Sequence, residues 1–241
     1  MKINKFFEIK FGSAPIVLSC PHGGYKKPHF IPNKKKGPKN ADQNTYFISK
    51  CLINEFKQQD IKINYILSKI HRSKVDFNRP PYSEAAFNKE SDLARQIHEC
   101  YFKQLNELIN HCLKDFNKCL LIDFHGFTKP VQNYPDIIFG HVFGKTLNIF
   151  SPEKDAEKCK KYWGCSELYN DLSRYFFVDD GLSMSDFNLS YSGGYIVWQY
   201  YGVEKVSAIQ IEVSKEVRMN QESIKLFIDI LINALIKIIK N

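Results

Sequence analysis

The chain has 241 residues, of which 44% are hydrophobic and 25% are charged, so it has enough apolar material for a sizeable core and lacks the composition of a disordered chain. Its net charge of +8 comes largely from lysines spread along the chain, which does not by itself indicate a nucleic-acid partner. No apolar stretch approaches the roughly 20 residues that cross a bilayer, and the seven scattered cysteines contain no C-x-x-C pair, which argues against a disulfide framework or a cysteine zinc site.

Short apolar runs typical of buried strands alternate with stretches of helical spacing along the whole chain. The predicted strands are Phe6 to Phe11, Ile16 to Cys20, Ile61 to Ile70, Leu120 to Gly126, Asp136 to Gly140, Phe176 to Val178 and Val206 to Val213. The predicted helices are Ala41 to Gln58, Ser91 to Phe116, Pro152 to Tyr175 with a break near Gly164, and a C-terminal helix that includes Ile224 to Ile232. This alternation predicts an α/β fold, a three-layer αβα sandwich around a mixed, mostly parallel sheet, in one domain over residues 1–241.

Two of the predicted strands have a histidine followed by glycine at or just beyond their carboxyl ends. His22 follows the strand Ile16 to Cys20, and His125 closes the strand that begins at Leu120. Strand ends line the ligand crevice of open α/β sheets, so two imidazoles at such ends predict a metal site. Asp123 shares a face with His125 and is placed to orient its imidazole. A turn histidine bonded to the backbone and a satisfied polar pair in the core are the structural alternatives.

Two further segments carry charged groups suited to substrate binding and proton transfer. The adjacent Asn78 and Arg79 lie in a proline-locked loop and form a carboxylate receptor or, alternatively, part of a surface salt-bridge network. Glu212 lies in an apolar strand, where a carboxylate is costly unless it is paired or used. It is therefore a candidate general base, with a salt bridge to a nearby arginine as the alternative. We expect the lysine cluster from Lys34 to Lys39 to be a solvated loop rather than a polyanion site.

These segments belong to a series of short motifs in a fixed order, from about residue 16 to 215. The series is Ser19-Cys20-Pro21-His22-Gly23-Gly24, Asp42, Arg72 through Asp76-Phe77-Asn78-Arg79, Asp123-Phe124-His125, Pro135-Asp136 with Gly140, Ser192-Gly193-Gly194-Tyr195, and Gln210-Ile211-Glu212. In this order the chain resembles the N-formylglutamate amidohydrolase family, which is similar to zinc carboxypeptidases.

The resemblance implies a Zn²⁺ ion held by His22, His125 and one carboxylate, with an open position for water. Carboxypeptidases take that carboxylate from a His-x-x-Glu motif, but the Glu position is Tyr25 here, so we assign the third ligand to Asp42. The serine usually found after the second histidine is Gly126 in this chain.

The same resemblance implies roles for the remaining motif residues. Glu212 would be the general base, and Arg72 would polarise the scissile carbonyl. Asn78 and Arg79 would hold the carboxylate of the substrate. The Gly193-Gly194 turn would line the substrate pocket, and its size would separate small from large acyl groups.

We therefore predict a zinc-dependent amidohydrolase that cleaves the amide bond of an N-acyl amino acid with a free carboxylate, with formyl as the family-level choice of acyl group. The alternatives are a carboxypeptidase-like enzyme or other deacylase, and a metal-free binding protein on the same scaffold. We expect a small-molecule carboxylate partner and neither a membrane nor a nucleic acid. We also expect a cytoplasmic protein, because no secretory signal pattern follows the basic Met1 to Lys5.

Overall fold

The computed structural model describes residues 3–149 and 162–240, and these residues form a seven-stranded sheet with helices on both faces. The strands are β1 (Phe7–Lys10), β2 (Ile16–Cys20), β3 (Asn64–Ser68), β4 (Cys119–Phe127), β5 (Ile137–Gly140), β6 (Val178–Asp179) and β7 (Val206–Ser214). The α-helices are α1 (Thr45–Gln58), α2 (Asp92–Phe116), α3 (Cys165–Leu172), α4 (Tyr195–Trp198), α5 (Lys215–Met219) and α6 (Gln221–Lys240). A 3₁₀ turn at Ile3–Phe6 precedes β1.

The sheet has the strand order β1-β3-β2-β4-β7-β5-β6. Strands β3, β2, β4 and β7 form a parallel centre, β1 and β5 join it antiparallel, and β6 pairs parallel with β5. This confirms the predicted mixed, mostly parallel sheet. Strand β3, which follows β2 in the chain, lies on one side of β2, whereas the next strand, β4, lies on the other side of β2. A crevice therefore opens at the carboxyl ends of β2 and β4, where open α/β sheets hold ligands.

Helices cover both faces of the sheet, as the burial of the central strands requires. Helices α1, α3 and α6 pack against one face, whereas α2 packs against the other. Every residue of β2, β3 and β7 is buried, the pattern of strands with a helix layer on either side. The strand predicted over Ile61 to Ile70 is shorter in the structure, where β3 spans Asn64–Ser68.

Several predicted bounds also differ from the structure. Strand β4 continues through Gly126 to Phe127. Helix α1 begins at Thr45, after Asn44 with its left-handed φ of 65°, so Asp42 lies in the preceding loop and not in the first turn. Of the predicted strand Phe176 to Val178, the last residue alone belongs to β6. The predicted helical residues 152–161 lie outside the described residues, and helix α3 begins directly after Gly164.

The sheet joins strands from residue 7 to residue 214, which supports one domain over residues 1–241, and that assignment stays a prediction. In the described part of the chain, no helix has the length and apolar character to cross a membrane.

Candidate metal centre and active site

The ends of β2, β4 and β7 bring three side chains to one place. His22 lies two residues beyond β2, while His125 and Glu212 are register partners on the neighbouring strands β4 and β7. The imidazole rings of His22 and His125 have centroids 4.7 Å apart and planes inclined by 80°. The two histidine-bearing strand ends therefore face each other, as the metal-site hypothesis requires.

Asp42 joins the two histidines from the loop before α1. Its backbone N–H donates a hydrogen bond of 3.1 Å to the carbonyl oxygen of His22. Its Oδ2 lies 3.5 Å from Nδ1 of His22 and 3.4 Å from Nδ1 of His125. One ligand atom from each of the three buried residues lies within 4.8 Å of the others. The structure thus brings together the three predicted ligands, and their role as zinc ligands stays a prediction.

Each imidazole turns its other nitrogen toward a second carboxylate. Nε2 of His22 lies 2.7 Å from Oδ1 of Asp76, and Nε2 of His125 lies 2.8 Å from Oδ2 of Asp123. A carboxylate accepts a hydrogen bond, so each Nε2 carries a proton, and Nδ1 is the nitrogen of each imidazole that faces Asp42. A carboxylate that fixes the tautomer in this way accompanies most metal-binding histidines.

The contacts of Asp42 test whether this donor set fits a metal ion. Two imidazole nitrogens are held against one carboxylate oxygen by a cation between them, either a second proton on an imidazole or a metal ion. Distances of 3.4 and 3.5 Å are long for hydrogen bonds, and Nδ1 of His22 makes none within the described residues. Ligand atoms about 2.05 Å from a tetrahedral zinc ion are about 3.4 Å apart. The two separations between Asp42 and the histidines therefore match the spacing of ligands around a divalent cation such as Zn²⁺.

Asp76, which no sequence signal assigns to the site, is the centre of a buried ionic network. Its Oδ2 accepts hydrogen bonds of 2.7 Å from Nζ of Lys34 and 2.9 Å from Nε of Arg72. Arg72 also donates from Nη1 to Oδ1 of Asp42 at 3.3 Å. Burial opposes ionisation of Asp76, but His22, Arg72 and Lys34 outweigh it and hold the pKa of this carboxyl well below its usual range.

The expectation that the lysine cluster is a solvated loop is wrong for Lys34. Its side chain is buried and ends in the ion pair with Asp76, with a further hydrogen bond of 3.0 Å to the carbonyl oxygen of Ala85. Lys35 and Lys36 do remain exposed, where they pair with glutamates. A run of lysines gives no signal for which member is buried, because that depends on where the loop passes Asp76.

Glu212 reaches the same crevice from β7. Its Oε1 accepts a hydrogen bond of 2.7 Å from Nε2 of Gln210, whereas its buried Oε2 makes no hydrogen bond within the described residues. Burial raises the pKa of this carboxyl, against the opposing influence of His125. A buried carboxylate oxygen with no partner is placed to accept a proton from a bound molecule.

A cavity of about 280 Å³ opens above these groups, lined by metal-centre residues and by the predicted substrate-binding residues. Its walls include Asp42, Arg72, Asn78, Arg79, His125, Gly193, Gly194 and Glu212.

Asn78 also supports the Gly193-Gly194 turn. Its Nδ2 donates to Oε1 of Gln210 at 3.2 Å, and its Oδ1 accepts from the backbone N–H of Ile196 at 3.1 Å. A Cβ on Gly194 would lie 2.0 Å from Nδ2 of Asn78, so glycine is required for this close approach.

Arg218 is a structural residue of the site that sequence reasoning missed. Its guanidinium donates to the carbonyl oxygens of Val213, Phe127 and Gln43, which lie at the ends of β7 and β4 and beside Asp42. It fills the space beside Gly126, where a Cβ would lie 2.2 Å from Nε of Arg218. No sequence motif links positions so far apart.

Comparison with known proteins identifies the family. The sequence model of the N-formylglutamate amidohydrolase family matches residues 82–219, more than half of the chain. The chain belongs to this family. The match includes His125, Gly193, Gly194 and Glu212, while His22, Asp42, Arg72, Asn78 and Arg79 precede it. For those five residues the resemblance rests on the motifs and on the geometry. No curated protein matches the chain.

Two solved structures share the fold at low sequence identity. One is the N-formylglutamate amidohydrolase from Ralstonia eutropha JMP134, at 14% identity, a TM-score of 0.68 and 97% coverage of each chain. The other is a gene product from Agrobacterium tumefaciens, at 14% identity, a TM-score of 0.70, and coverage of 99% of this chain and 95% of the other. At this identity the likeness shows the fold of the family over nearly the whole chain.

Proposed function

We propose that this member of the family is a zinc-dependent amidohydrolase that cleaves the amide bond of an N-acyl amino acid with a free carboxylate. The observation that carries the proposal is the arrangement around Asp42. Two histidine Nδ1 atoms lie 3.4 and 3.5 Å from one carboxylate oxygen, and each histidine has its Nε2 on a buried aspartate. This set supports the metalloenzyme over the metal-free binding protein, since two imidazoles, each fixed by a buried carboxylate and both facing a third carboxylate, are the donor groups and supporting contacts that metal centres use.

His22, Asp42 and His125 would hold the ion, with Asp76 and Asp123 fixing the two imidazoles. Zinc, when bound, supplies a Lewis acid that acidifies water and polarises a carbonyl near neutral pH. Oε2 of Glu212 would accept the proton that water loses as it attacks the amide carbon, and would return it to the leaving nitrogen. The hydrogen bond from Gln210 to Oε1 supports this role because it holds the carboxylate and leaves Oε2 available.

Arg72 and Arg79 would act on the oxygen atoms of the substrate. Arg72 contacts Asp76 through Nε and Asp42 through Nη1, and the remaining N–H groups of its guanidinium would stabilise the oxyanion. Arg79 lines the cavity and donates from Nη1 to the backbone oxygen of Asn78. We assign the substrate's α-carboxylate to Arg79, with Asn78 beside it, since an arginine guanidinium matches a carboxylate in a bidentate fork.

The proposal is tested by metal analysis together with hydrolysis assays. Purified protein is dialysed against zinc and desalted, and its zinc content is measured by inductively coupled plasma mass spectrometry. Release of amine is then measured with N-formylglutamate and related N-acyl amino acids as substrates. We expect one zinc per chain and amine release. A folded protein that takes up no zinc and releases no amine from the panel would refute the proposal.

Variants separate the metal centre from proton transfer. Glu212→Gln should retain zinc and lose about 10²-fold or more in kcat, because general acid–base groups contribute on that scale. His22→Asn should lose zinc. The matched control is His29→Asn, which removes an exposed imidazole outside the site and should keep both zinc and activity.

A further inference from the structure

The cavity at the metal centre continues into a second cleft that the proposed roles leave unexplained. This second cleft has a volume of about 580 Å³, and it shares Asp42, Arg72 and Gly126 with the first cavity as walls. Arg79, Gly193 and Gly194 line the first cavity alone, whereas Lys27 and Lys215 line the second alone. A molecule at the metal centre with its amino-acid carboxylate on Arg79 would therefore extend its acyl group into the second cleft.

The second cleft is strongly cationic. Lys27 and Lys215 are exposed in it and make no ion pair among the described residues. Arg218 adds a buried guanidinium whose contacts are all backbone carbonyl oxygens and not carboxylates. Asp42 is the single carboxylate among the residues that line this cleft, and it already accepts a hydrogen bond from Arg72 and faces the two histidines. The cleft thus holds three positive charges without a carboxylate partner.

The volume of the cleft also exceeds what a formyl group needs. A formyl group has two heavy atoms and is no larger than about two water molecules. The cleft of about 580 Å³ leaves room for a chain of several atoms. Both its size and its charge therefore favour a longer acyl group that ends in an anion.

We propose that the second cleft binds the acyl group of the substrate and that this group ends in a carboxylate, as in an N-succinyl or N-glutaryl amino acid. Lys27 and Lys215 bind the terminal carboxylate, and the field of Arg218 adds to the attraction. The inference rests on the proposed amidohydrolase function. The reaction is hydrolysis: the amide C–N bond breaks, the oxygen of water joins the acyl carbon, and its hydrogens leave on the amine and the new acid. The products are a dicarboxylic acid and an amino acid.

The test compares acyl groups of equal length with and without the charge. The zinc-loaded enzyme is assayed for amine release from N-succinyl-, N-butyryl- and N-formyl-glutamate, and kcat/KM is measured for each. We expect N-succinyl-glutamate to be preferred over N-butyryl-glutamate by about tenfold, because two lysines in contact with solvent bind a carboxylate with modest free energy. The preference should shrink between 50 and 500 mM salt, since both lysines are exposed to screening (a Debye length of about 10 Å at 0.1 M).

Charge-removing variants assign the preference to the cleft. In Lys27→Gln/Lys215→Gln the ratio of succinyl to butyryl kcat/KM should fall to within about twofold of one. The matched control is Lys103→Gln, which removes an exposed lysine from α2 on the opposite face of the sheet and should keep the ratio of the unmodified enzyme. All three lysines are exposed, so the variants are expected to fold.

The outcomes separate this inference from the function on which it rests. Hydrolysis of the formyl and butyryl substrates with no preference for succinyl would overturn the inference and leave the amidohydrolase function standing. A succinyl preference that survives in the double variant would overturn the assignment to Lys27 and Lys215. Absence of hydrolysis for all three substrates, with no zinc bound, would overturn the amidohydrolase function and this inference with it.

Discussion

Replacement of Gly126 by alanine should destabilise the protein through Arg218 rather than through the backbone. A Cβ at position 126 would lie 2.2 Å from Nε and 2.4 Å from Cζ of Arg218, compared with ordinary contacts of 3.4 Å or more. The guanidinium must therefore move by more than 1 Å. Such a shift disrupts its hydrogen bonds to Val213, Phe127 and Gln43. Hydrogen bonds from charged donors contribute about 1.5 kcal/mol or more each, so loss of two or three predicts a cost of about 3–5 kcal/mol.

A double-mutant cycle measures this effect directly. The free energy of unfolding is obtained by urea titration for the unmodified chain, Gly126→Ala, Arg218→Met and the double variant, all in saturating zinc. Gly126→Ala should lower the free energy of unfolding by about 3–5 kcal/mol when position 218 is arginine. When position 218 is methionine, the same substitution should lower it by less than about 1 kcal/mol, because the flexible methionine side chain can move aside. An equal cost in both backgrounds, or a cost below about 1 kcal/mol beside arginine, would refute the reasoning.

Three further predictions follow from the buried groups around the site. Asp123→Asn and Asp76→Asn should each weaken zinc binding by about 10- to 100-fold, measured by competition with a chromogenic chelator. Asp76→Asn should also lower the free energy of unfolding by about 3 kcal/mol or more, because it leaves Lys34 buried without its carboxylate. Removal of zinc by a chelator should lower the unfolding free energy by about 4 kcal/mol relative to protein in zinc at 1,000 times its Kd; an unchanged melting temperature would contradict this. Burial lowers the pKa of His98 from 6.5 to about 4, so its neutral form contributes stability above pH 6.5 that is lost as pH falls toward 4. Between pH 7.5 and 5 the metal-free protein should lose about 2 kcal/mol that His98→Gln does not lose, and equal losses in the two proteins would contradict the assignment.

The parts of the fold that depend on local pattern could be predicted from the sequence. Strand β2 and helix α2 have nearly the predicted bounds, because a short apolar run and the serine cap at Ser91 are local signals. The end of β4 differs from the prediction by one residue, because glycine usually closes a strand but Gly126 lies inside this one. The absence of a side chain at Gly126 leaves space that Arg218 fills, and Arg218 is 92 residues further along the chain.

The site shows the same division between local and distant signals. His22 and His125 could be proposed as a pair because each ends an apolar run, and Asp123 could be assigned to His125 because side chains two apart in a strand share a face. Asp76 and Lys34 could not be assigned, since their contacts depend on how two loops pack over the sheet. The cationic second cleft was missed for the same reason, because Lys27 and Lys215 are distant in sequence.

The path of the chain after His22 gives a physical reason for proposing Asp42, and not the residue at position 25, as the third ligand. A Cβ on Gly23 would lie 2.5 Å from the backbone nitrogen of Tyr46, and a Cβ on Gly24 would lie 2.2 Å from the carbonyl oxygen of Ile70. The chain therefore passes tightly between the start of α1 and the residues after β3. It emerges with Tyr25 63% exposed and packed on the ring of Tyr46, so the residue three positions after His22 points away from the imidazole.

A carboxylate at the position of Tyr25 would consequently not reach a metal ion on His22, and the ligand has to come from another segment. The loop before α1 carries the proposed ligand, because the backbone N–H of Asp42 donates to the carbonyl oxygen of His22 and ties the two residues together. Tyr25→Glu should therefore leave zinc affinity unchanged in the competition assay, whereas Asp42→Asn should weaken it, since the amide removes the negative ligand oxygen. Restoration of zinc binding in the double variant Tyr25→Glu/Asp42→Asn would show that position 25 can reach the ion and would contradict this account.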